Sequence, residues 1–405
     1  MNVQITPSIL QGIVQPPASK SMMHRALFLA LLAKGTSILK NVSLSDDVWA
    51  SVEAIKAFGA TVDVDEEQRT IQVSSNEIKA PTTPINCYES GTTLRFVCAI
   101  AATFDTDIMI TGEPGLLARP MDGYERLFQT HHVLFELKGE MYHIKGPLQV
   151  DQNWVVDGTK SSQFLSGLML AALRYPQPVQ IEVLNHIASA AYVDMTKQIM
   201  QDFGVMIATS LPMMTIELGL LAPQEYVVEI DYSQAAVWYV ARYFHPSIEI
   251  AKPVSTTKQP DAVMDSIMEE LDISHGLEVN VDPSPDIAPL LMLLASQCEG
   301  SSIIRGTARL RYKESDRVAS SLASLQAFGV SSIIRDDEVV IKGPVTLQGA
   351  TLDSYQDHRI VMMATVAATL AKGQTVIMNA QAITKSYPDF FRDFALLGGV
   401  YEVLR

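Results

Sequence analysis

Thr36-Ser-Ile-Leu-Lys-Asn-Val42, followed by a helical stretch at 47–58 and by Ala57-Phe58-Gly59-Ala60-Thr61-Val62-Asp63-Val64, has a second copy further along the chain. There Ser302-Ile-Ile-Arg-Gly-Thr307 leads through a helical stretch to Ala327-Phe328-Gly329-Val330 and on to Val339-Val340-Ile341. Both carry Ala-Phe-Gly, an apolar strand, a turn with Asp or Glu, and a further strand. Weaker copies start near Thr106, Val179, Ile248 and Thr375. The spacing is about 55–75 residues, a period that marks repeated supersecondary units. Between the copies lie helical stretches at 21–32, 91–103, 162–174, 235–244, 288–296 and 358–370. Each is apolar over most of its surface, as a helix inside a domain must be.

Alternating strands and helices with this period predict an α/β (α+β) protein of two similar domains, three repeated units in each. Six packed units are too many for a solenoid with long exposed edges, so the expectation is two globular halves facing each other. The chain should cross between them near Gly12 and Val228. That gives a first domain at 12–228 and a second made of 1–11 with 229–405.

The 405 residues carry 48% apolar and 19% charged side chains, an ordinary balance for a well-packed globular protein. A net charge of −15 opposes any broad nucleic-acid or membrane surface. It leaves room for a local cluster of the 30 Lys and Arg residues that binds small anions. The longest apolar run, Ala26 to Ala33, is too short to span a bilayer. The N-terminus resembles neither a signal nor a transit peptide, so a cytoplasmic location is expected. Cys87, Cys98 and Cys298 form no CxxC or Cys/His cluster, and no metal site or disulfide framework is expected. Walker, GxGxxG, GxSxG and HExxH motifs are absent. The adjacent pair His131-His132 reads as structural or solvated.

Chemistry concentrates at the helix starts. Ser19-Lys20-Ser21 through His24-Arg25 opens the first buried helix and combines a serine hydroxyl, free N–H groups and two cations, the makings of an anion site. Glu89-Ser90-Gly91-Thr92-Thr93-Leu94-Arg95 repeats the pattern, with Gly91 permitting close backbone approach. Ser161-Ser162-Gln163 does so again. In the second half, Lys313-Glu314-Ser315-Asp316-Arg317 reads as a helix start whose spacing of four sets Lys313 and Arg317 on one face, with Glu314 pointing elsewhere. Asp357-His358-Arg359 also enters an apolar helix, where polar residues are costly unless used.

Taken in order, Pro17-Ala-Ser-Lys-Ser21 with His24-Arg-Ala-Leu27, Ser90-Gly-Thr-Thr-Leu-Arg95, Ala118-Arg-Pro120, Ser161-Ser-Gln-Phe-Leu165, Tyr192-Val-Asp-Met-Thr196, Pro285-Asp286, Lys313-Glu-Ser-Asp-Arg317, Asp357-His-Arg359 and Thr384-Lys-Ser-Tyr-Pro-Asp389 resemble the signatures of the 5-enolpyruvylshikimate-3-phosphate synthase family. The resemblance covers almost the whole chain. It implies two domains of three βαβαββ units each, an inverse α/β barrel-like arrangement. It also implies transfer of the enolpyruvyl group of phosphoenolpyruvate to the 5-hydroxyl of shikimate 3-phosphate, in the shikimate pathway of aromatic amino-acid biosynthesis, by a monomeric protein without cofactor or metal. Ser21 and Arg25 would hold the shikimate carboxylate. Ser161, Ser162 and Ser189 would hold its phosphate, with Gln163, Tyr192, Arg309 and Lys313 alongside. Lys20, Gly91, Arg119, Gln163, Arg317, Arg359 and Lys385 would hold phosphoenolpyruvate. Asp286 with Lys20 would take the hydroxyl proton, and Glu314, tuned by Lys313 and His358, would serve carbon 3.

Three positions depart from the family pattern: Glu89 and Arg309, where Asn is usual, and Phe96, where Pro or Leu is frequent. Glu89 and Phe96 are expected to reshape the wall at Gly91 and with it the response to the inhibitor glyphosate. The sister transferase acting on UDP-N-acetylglucosamine carries Lys-Asn where this chain has Lys20-Ser21, and it lacks the Ser161-Ser162-Gln163 loop. A non-catalytic anion-binding paralogue would be expected to lose Asp286 or Glu314, and both are present.

Overall fold

The computed structural model describes residues 1–159, 161–217, 219, 221–251 and 257–404. The chain divides into two compact units, Ala18–Glu229 and Met1–Pro17 with Ile230–Arg405. In the first unit the strand Ile85–Asn86 leads through the helix Gly91–Ala101 to the parallel strand Ile108–Thr111. The antiparallel strands Met141–Lys145 and Leu134–Lys138 complete that sheet. Trp154–Asp157, the helix Ser162–Ala172, Val179–Leu184, Met213–Glu217 and Met206–Ser210 repeat the same order. In the second unit so do Glu278–Asn280, the helix Ala288–Ala295, Gly300–Arg305, Glu338–Gly343 and Ser332–Arg335. Among the described residues no sheet closes into a barrel.

The remaining sheets are completed by strands distant in sequence. The strand before the helix Lys20–Leu32 is Gly12–Val14, and it pairs in parallel with Ile248–Ile250 of the second unit. Its place beside Gly35–Lys40 is filled by Glu225–Val227. Likewise the N-terminal strand Asn2–Thr6 lies between Thr375–Met378 and Val400–Leu404. The ends of the chain therefore tie the second unit together through pairings remote in sequence.

Each unit has its own apolar core built on three buried helices. In the first, the helix Lys20–Leu32 is buried from Met22 to Leu31, and the helices Gly91–Ala101 and Ser162–Ala172 are buried almost throughout. In the second, the helices Tyr232–Phe244, Ala288–Ala295 and His358–Leu370 pack on one another. The Gly91 and Ser162 helices approach closely because Gly167 has no side chain. A Cβ there would lie 2.3 Å from the Tyr124 hydroxyl and 3.1 Å from the Arg95 carbonyl oxygen. The Tyr124 hydroxyl donates to that carbonyl at 2.9 Å and to the Phe164 carbonyl at 3.2 Å, pinning both helices.

A polar chain also crosses this core. His24 Nδ1 meets the Ser51 hydroxyl at 2.7 Å, Ser51 meets Thr93 at 2.7 Å, and Thr93 meets the cap residue Ser90 at 2.7 Å. Burial holds the His24 imidazole well below its ordinary pKa, and the charges of Lys20 and Arg25 add to the effect.

Two outcomes follow from this packing. Gly167→Ala overpacks the contact and is expected to lower unfolding free energy by about 1–3 kcal/mol in urea titration. Because folded His24 resists protonation, the unfolded chain gains a proton below about pH 6.5 that the folded chain does not. The His24 contribution to stability is thus full above that pH and lost as pH falls. Urea midpoints measured from neutral pH downward should therefore decline less steeply for His24→Gln than for wild type.

Candidate functional site

All six buried helices have a polar residue at their start, and its chemistry differs between the units. In the Ala18–Glu229 unit the caps are neutral. The hydroxyl of Ser19 accepts from Met22 N, that of Ser90 from Thr93 N, and that of Ser161 from Gln163 N. The helix ends keep their positive character and cations gather beside them. In the other unit aspartates stand there: Asp231 and Asp357 as caps, and Asp286 in the short 3-10 turn Pro285–Ile287 that leads into the helix at Ala288.

Arg25 is the central cation of the first cluster. Its side chain is 2% exposed, yet no carboxylate among the described residues pairs with it. Nε donates to the Thr196 hydroxyl at 2.7 Å, and the terminal nitrogens donate to the Ser21 carbonyl at 2.7 Å and the Tyr192 carbonyl at 3.1 Å. The Ser166 hydroxyl lies at 3.5 Å, and the guanidinium carbon is 5.7 Å from the centre of the Phe96 ring. Burial lowers its pKa to about 10. A buried cation without a counter-charge is costly, and these contacts occupy four of its five N–H donors. Ser21 itself is half-buried at the helix start, and Lys20 beside it is held by Asp47 at 2.6 Å. Ser189 precedes the helix Ala190–Asp202 with left-handed backbone, and Tyr192 sits in that helix's first turn.

A second group surrounds Gly91. Arg95 donates to the Gln163 side-chain oxygen and, at 3.3 Å, to the Pro120 carbonyl, and its guanidinium lies over the Phe164 ring. Gln163 donates onward to the Thr92 hydroxyl at 2.9 Å. Arg95 thus cross-braces the Gly91 and Ser162 helices, with Ser161 and Ser162 at the start of the latter. A Cβ at position 91 would sit 2.9 Å from an Arg119 terminal nitrogen and 3.1 Å from one of Arg95, with Leu116 next at 3.9 Å. The wall at Gly91 is therefore built by two arginines and Leu116. The expectation that Phe96 shapes it is corrected: Phe96 is fully buried, edge-on to Phe28 at 5.5 Å and beside Arg25.

The second unit holds a ring of charges around Asp286. One oxygen of Asp286 accepts from Arg317 at 2.7 Å and from Lys313 at 3.1 Å, and the other faces Arg359 at 3.4 Å. Arg317, 1% exposed, also donates through Nε to Asp357 at 2.8 Å and through its other terminal nitrogen to Glu314 at 2.5 Å. Arg359 is gripped by Ser233, at 2.5 Å on the carbonyl and 2.7 Å on the hydroxyl. Lys385 donates to the Gln356 carbonyl at 2.6 Å. His358 is buried as the first residue of its helix, its Nδ1 3.8 Å from Asp357. Burial opposes ionisation of Asp286, but Lys313, Arg317 and Arg359 outweigh it and hold the carboxyl well below its usual range. Burial likewise opposes charge on Arg317, and Asp357, Glu314 and Asp286 together raise its pKa well above the ordinary value.

Two expectations need correction here. Lys313 and Arg317 do not share a helix face: Asp316 caps the helix at Arg317 and Lys313 lies in the preceding bend, although both still reach Asp286. Glu314 does not point away, since it pairs with Arg317. Arg309 binds the carboxylate of Asp282 at 2.8 Å and its carbonyl at 2.5 Å, in the turn after the strand Glu278–Asn280. Sequence reasoning missed Asp231, Ser233, Ser166 and Thr196. Asp231-Tyr-Ser-Gln at the mouth of an apolar helix was a usable signal for the first two. Thr196 closes the quoted Tyr192–Thr196 motif without a role being read for it, and Ser166, which meets it only through tertiary packing, left no signal.

Residues 5–394 match the family model described as EPSP synthase (3-phosphoshikimate 1-carboxyvinyltransferase). The chain is 33% identical to a 3-phosphoshikimate 1-carboxyvinyltransferase of Clostridium kluyveri, over 98% of this chain and 97% of that one. It is 32% identical to one of Clostridium perfringens over 99% of both. The EPSP synthase of Acinetobacter baumannii has the same fold, with a TM-score of 0.81 over 100% of both chains at 22% identity. The enolpyruvyl transferase NikO of Streptomyces tendae aligns with a TM-score of 0.77 over 99% of this chain and 98% of that one, at 16% identity. By sequence, this two-unit α/β chain belongs to the EPSP synthase (3-phosphoshikimate 1-carboxyvinyltransferase) family.

Proposed function

We propose that the protein transfers the enolpyruvyl group of phosphoenolpyruvate to the 5-hydroxyl of shikimate 3-phosphate, releasing phosphate, with the residues above in defined roles. Family membership supports the reaction, and one observation carries the roles. Asp286 lies where Lys313, Arg317 and Arg359 converge, and a second carboxylate, Glu314, pairs with the same Arg317.

The reaction adds the hydroxyl oxygen to carbon 2 of phosphoenolpyruvate while carbon 3 gains a proton. Carbon 3 then loses a proton as the carbon–oxygen bond to phosphate breaks, leaving the enolpyruvyl ether and inorganic phosphate. Two proton-transfer groups and cations for the departing charge are what such a sequence needs. Arg317 and Arg359 are assigned to the carboxylate of phosphoenolpyruvate, and Lys385 to the same substrate. When that carboxylate takes their donors, the influences that keep Asp286 ionised weaken while burial persists. Asp286 then moves toward the range of a useful base for the hydroxyl proton, and Glu314 handles carbon 3.

In the Ala18–Glu229 unit, Arg25 and Ser21 are assigned to the shikimate carboxylate, which supplies the counter-charge that Arg25 lacks. Ser161, Ser162 and Ser189 are assigned to its phosphate, Tyr192 and Gln163 to the ring, and Lys20 and Arg119 to phosphoenolpyruvate. A cytoplasmic monomer is proposed. No helix among the described residues is long and apolar enough to cross a membrane, and the net charge of −15 disfavours polyanionic partners.

Two assays test this reading. Phosphate release from phosphoenolpyruvate should require shikimate 3-phosphate and fall by about 10²–10⁴ in kcat for Glu314→Gln. Release that ignores shikimate 3-phosphate refutes the assignment. A methyl at position 91 must displace Arg119, so Gly91→Ala should raise KM for phosphoenolpyruvate about tenfold, ~1.4 kcal/mol, with KM for shikimate 3-phosphate nearly unchanged.

A further inference from the structure

We infer that Asp231 and Ser233 are positioning residues for Arg359, fixing its guanidinium so that it presents one edge to Asp286 and to the anion that binds there. The inference rests on the assignment of Arg359 to phosphoenolpyruvate.

Arg359 is 2% exposed, and a long side chain buried at the start of a helix has several ways to point. Ser233 removes that freedom by accepting two hydrogen bonds from adjacent nitrogens, one on its carbonyl and one on its hydroxyl. A hydroxyl is ambivalent, since it can donate as readily as accept. Asp231 resolves the ambiguity. The Ser233 hydroxyl donates to the Asp231 carboxylate at 2.6 Å, which turns its lone pairs toward Arg359. The same carboxylate oxygen caps the helix by accepting from Gln234 N at 3.0 Å, so the anchor is itself tied to the backbone. Asp231 is 3% exposed and Ser233 8% exposed.

The internal repeat of the unit supplies an independent observation. Asp357 caps the helix His358–Leu370 as Asp231 caps the helix Tyr232–Phe244, and Asp357 holds Arg317 directly through Nε. Arg317 and Arg359 then reach the two separate oxygens of Asp286, the aspartate ahead of the helix Ala288–Ala295. Of three aspartates at equivalent helix starts, one faces both guanidiniums and the other two aim them, Asp357 by contact and Asp231 through Ser233.

The test compares steady-state kinetics of Ser233→Ala, Ser233→Thr and Arg359→Ala with wild type, together with thermal melting. Ser233→Ala keeps the carbonyl contact and loses the hydroxyl. Its KM for phosphoenolpyruvate should rise about tenfold, the equivalent of one hydrogen bond to a charged group, while KM for shikimate 3-phosphate stays within about twofold. Ser233→Thr, which restores a hydroxyl, should recover most of the loss. Unchanged KM for phosphoenolpyruvate in Ser233→Ala overturns the inference. So does an equal rise in both KM values with a lowered melting temperature that threonine does not rescue, the mark of a purely structural serine. Arg359→Ala separates the two levels of the argument. If it leaves KM for phosphoenolpyruvate unchanged, the assignment of Arg359 fails. If it raises that KM while Ser233→Ala does not, only the positioning role fails.

Discussion

A helix buried along its whole length must still satisfy the free N–H groups at its start, and this constraint organises both units. The solution differs in charge. Serine caps in the Ala18–Glu229 unit satisfy the backbone without cancelling the positive end of the helix dipole, and the nearby Lys20, Arg25 and Arg95 add to it. In the other unit the caps Asp231 and Asp357 offset it and, with Asp286 in the turn before the helix at Ala288, leave negative charge that demands cations in turn. Arg317 and Arg359 answer that demand. One unit is thereby left short of negative charge around Arg25, while the other keeps its cations balanced by carboxylates.

This difference decides what each unit can offer to a ligand. Arg25 has hydrogen-bond acceptors but no counter-ion among the described residues, so in the proposed assignment an incoming carboxylate completes a site already organised by Thr196, Ser21 and Tyr192. Arg317 and Arg359 already have a carboxylate in Asp286, so an incoming anion must share or displace it. In the proposed reaction this links ligand binding to the protonation behaviour of Asp286, which is a weak base while three cations hold its pKa low.

Much of this was legible in the sequence because the periodicity of buried helices is a strong local signal. The repeat of Ala-Phe-Gly, the hydroxyl-rich helix starts and the stretch 358–370 all correspond to observed elements. What escaped was non-local or hinged on a single capping residue. The pairing of Gly12–Val14 with Ile248–Ile250 joins strands far apart in the chain, and no local pattern announces it. Lys313 and Arg317 fit a helical spacing, but Asp316 starts the helix one residue before Arg317, so the shared neighbour is set by the bend instead. Arg309 reads as one more cation of the phosphate region, and its pairing with Asp282 depends on how the turn folds. Phe96 read as part of the Gly91 wall because it is near in sequence, whereas the helix turns it inward against Phe28.

The central claim is that Arg317 and Arg359 share the Asp286 carboxylate until an anion takes their donors. Carbon-detected NMR of protein labelled at aspartate carboxyls, with Asp286→Asn identifying the signal, measures this directly. The account predicts that Asp286 stays ionised well below the usual carboxylate range in the ligand-free protein, and that its pKa rises when phosphoenolpyruvate is added. A pKa near the ordinary aspartate value without ligand, or one that is unmoved or lowered by phosphoenolpyruvate, would contradict it.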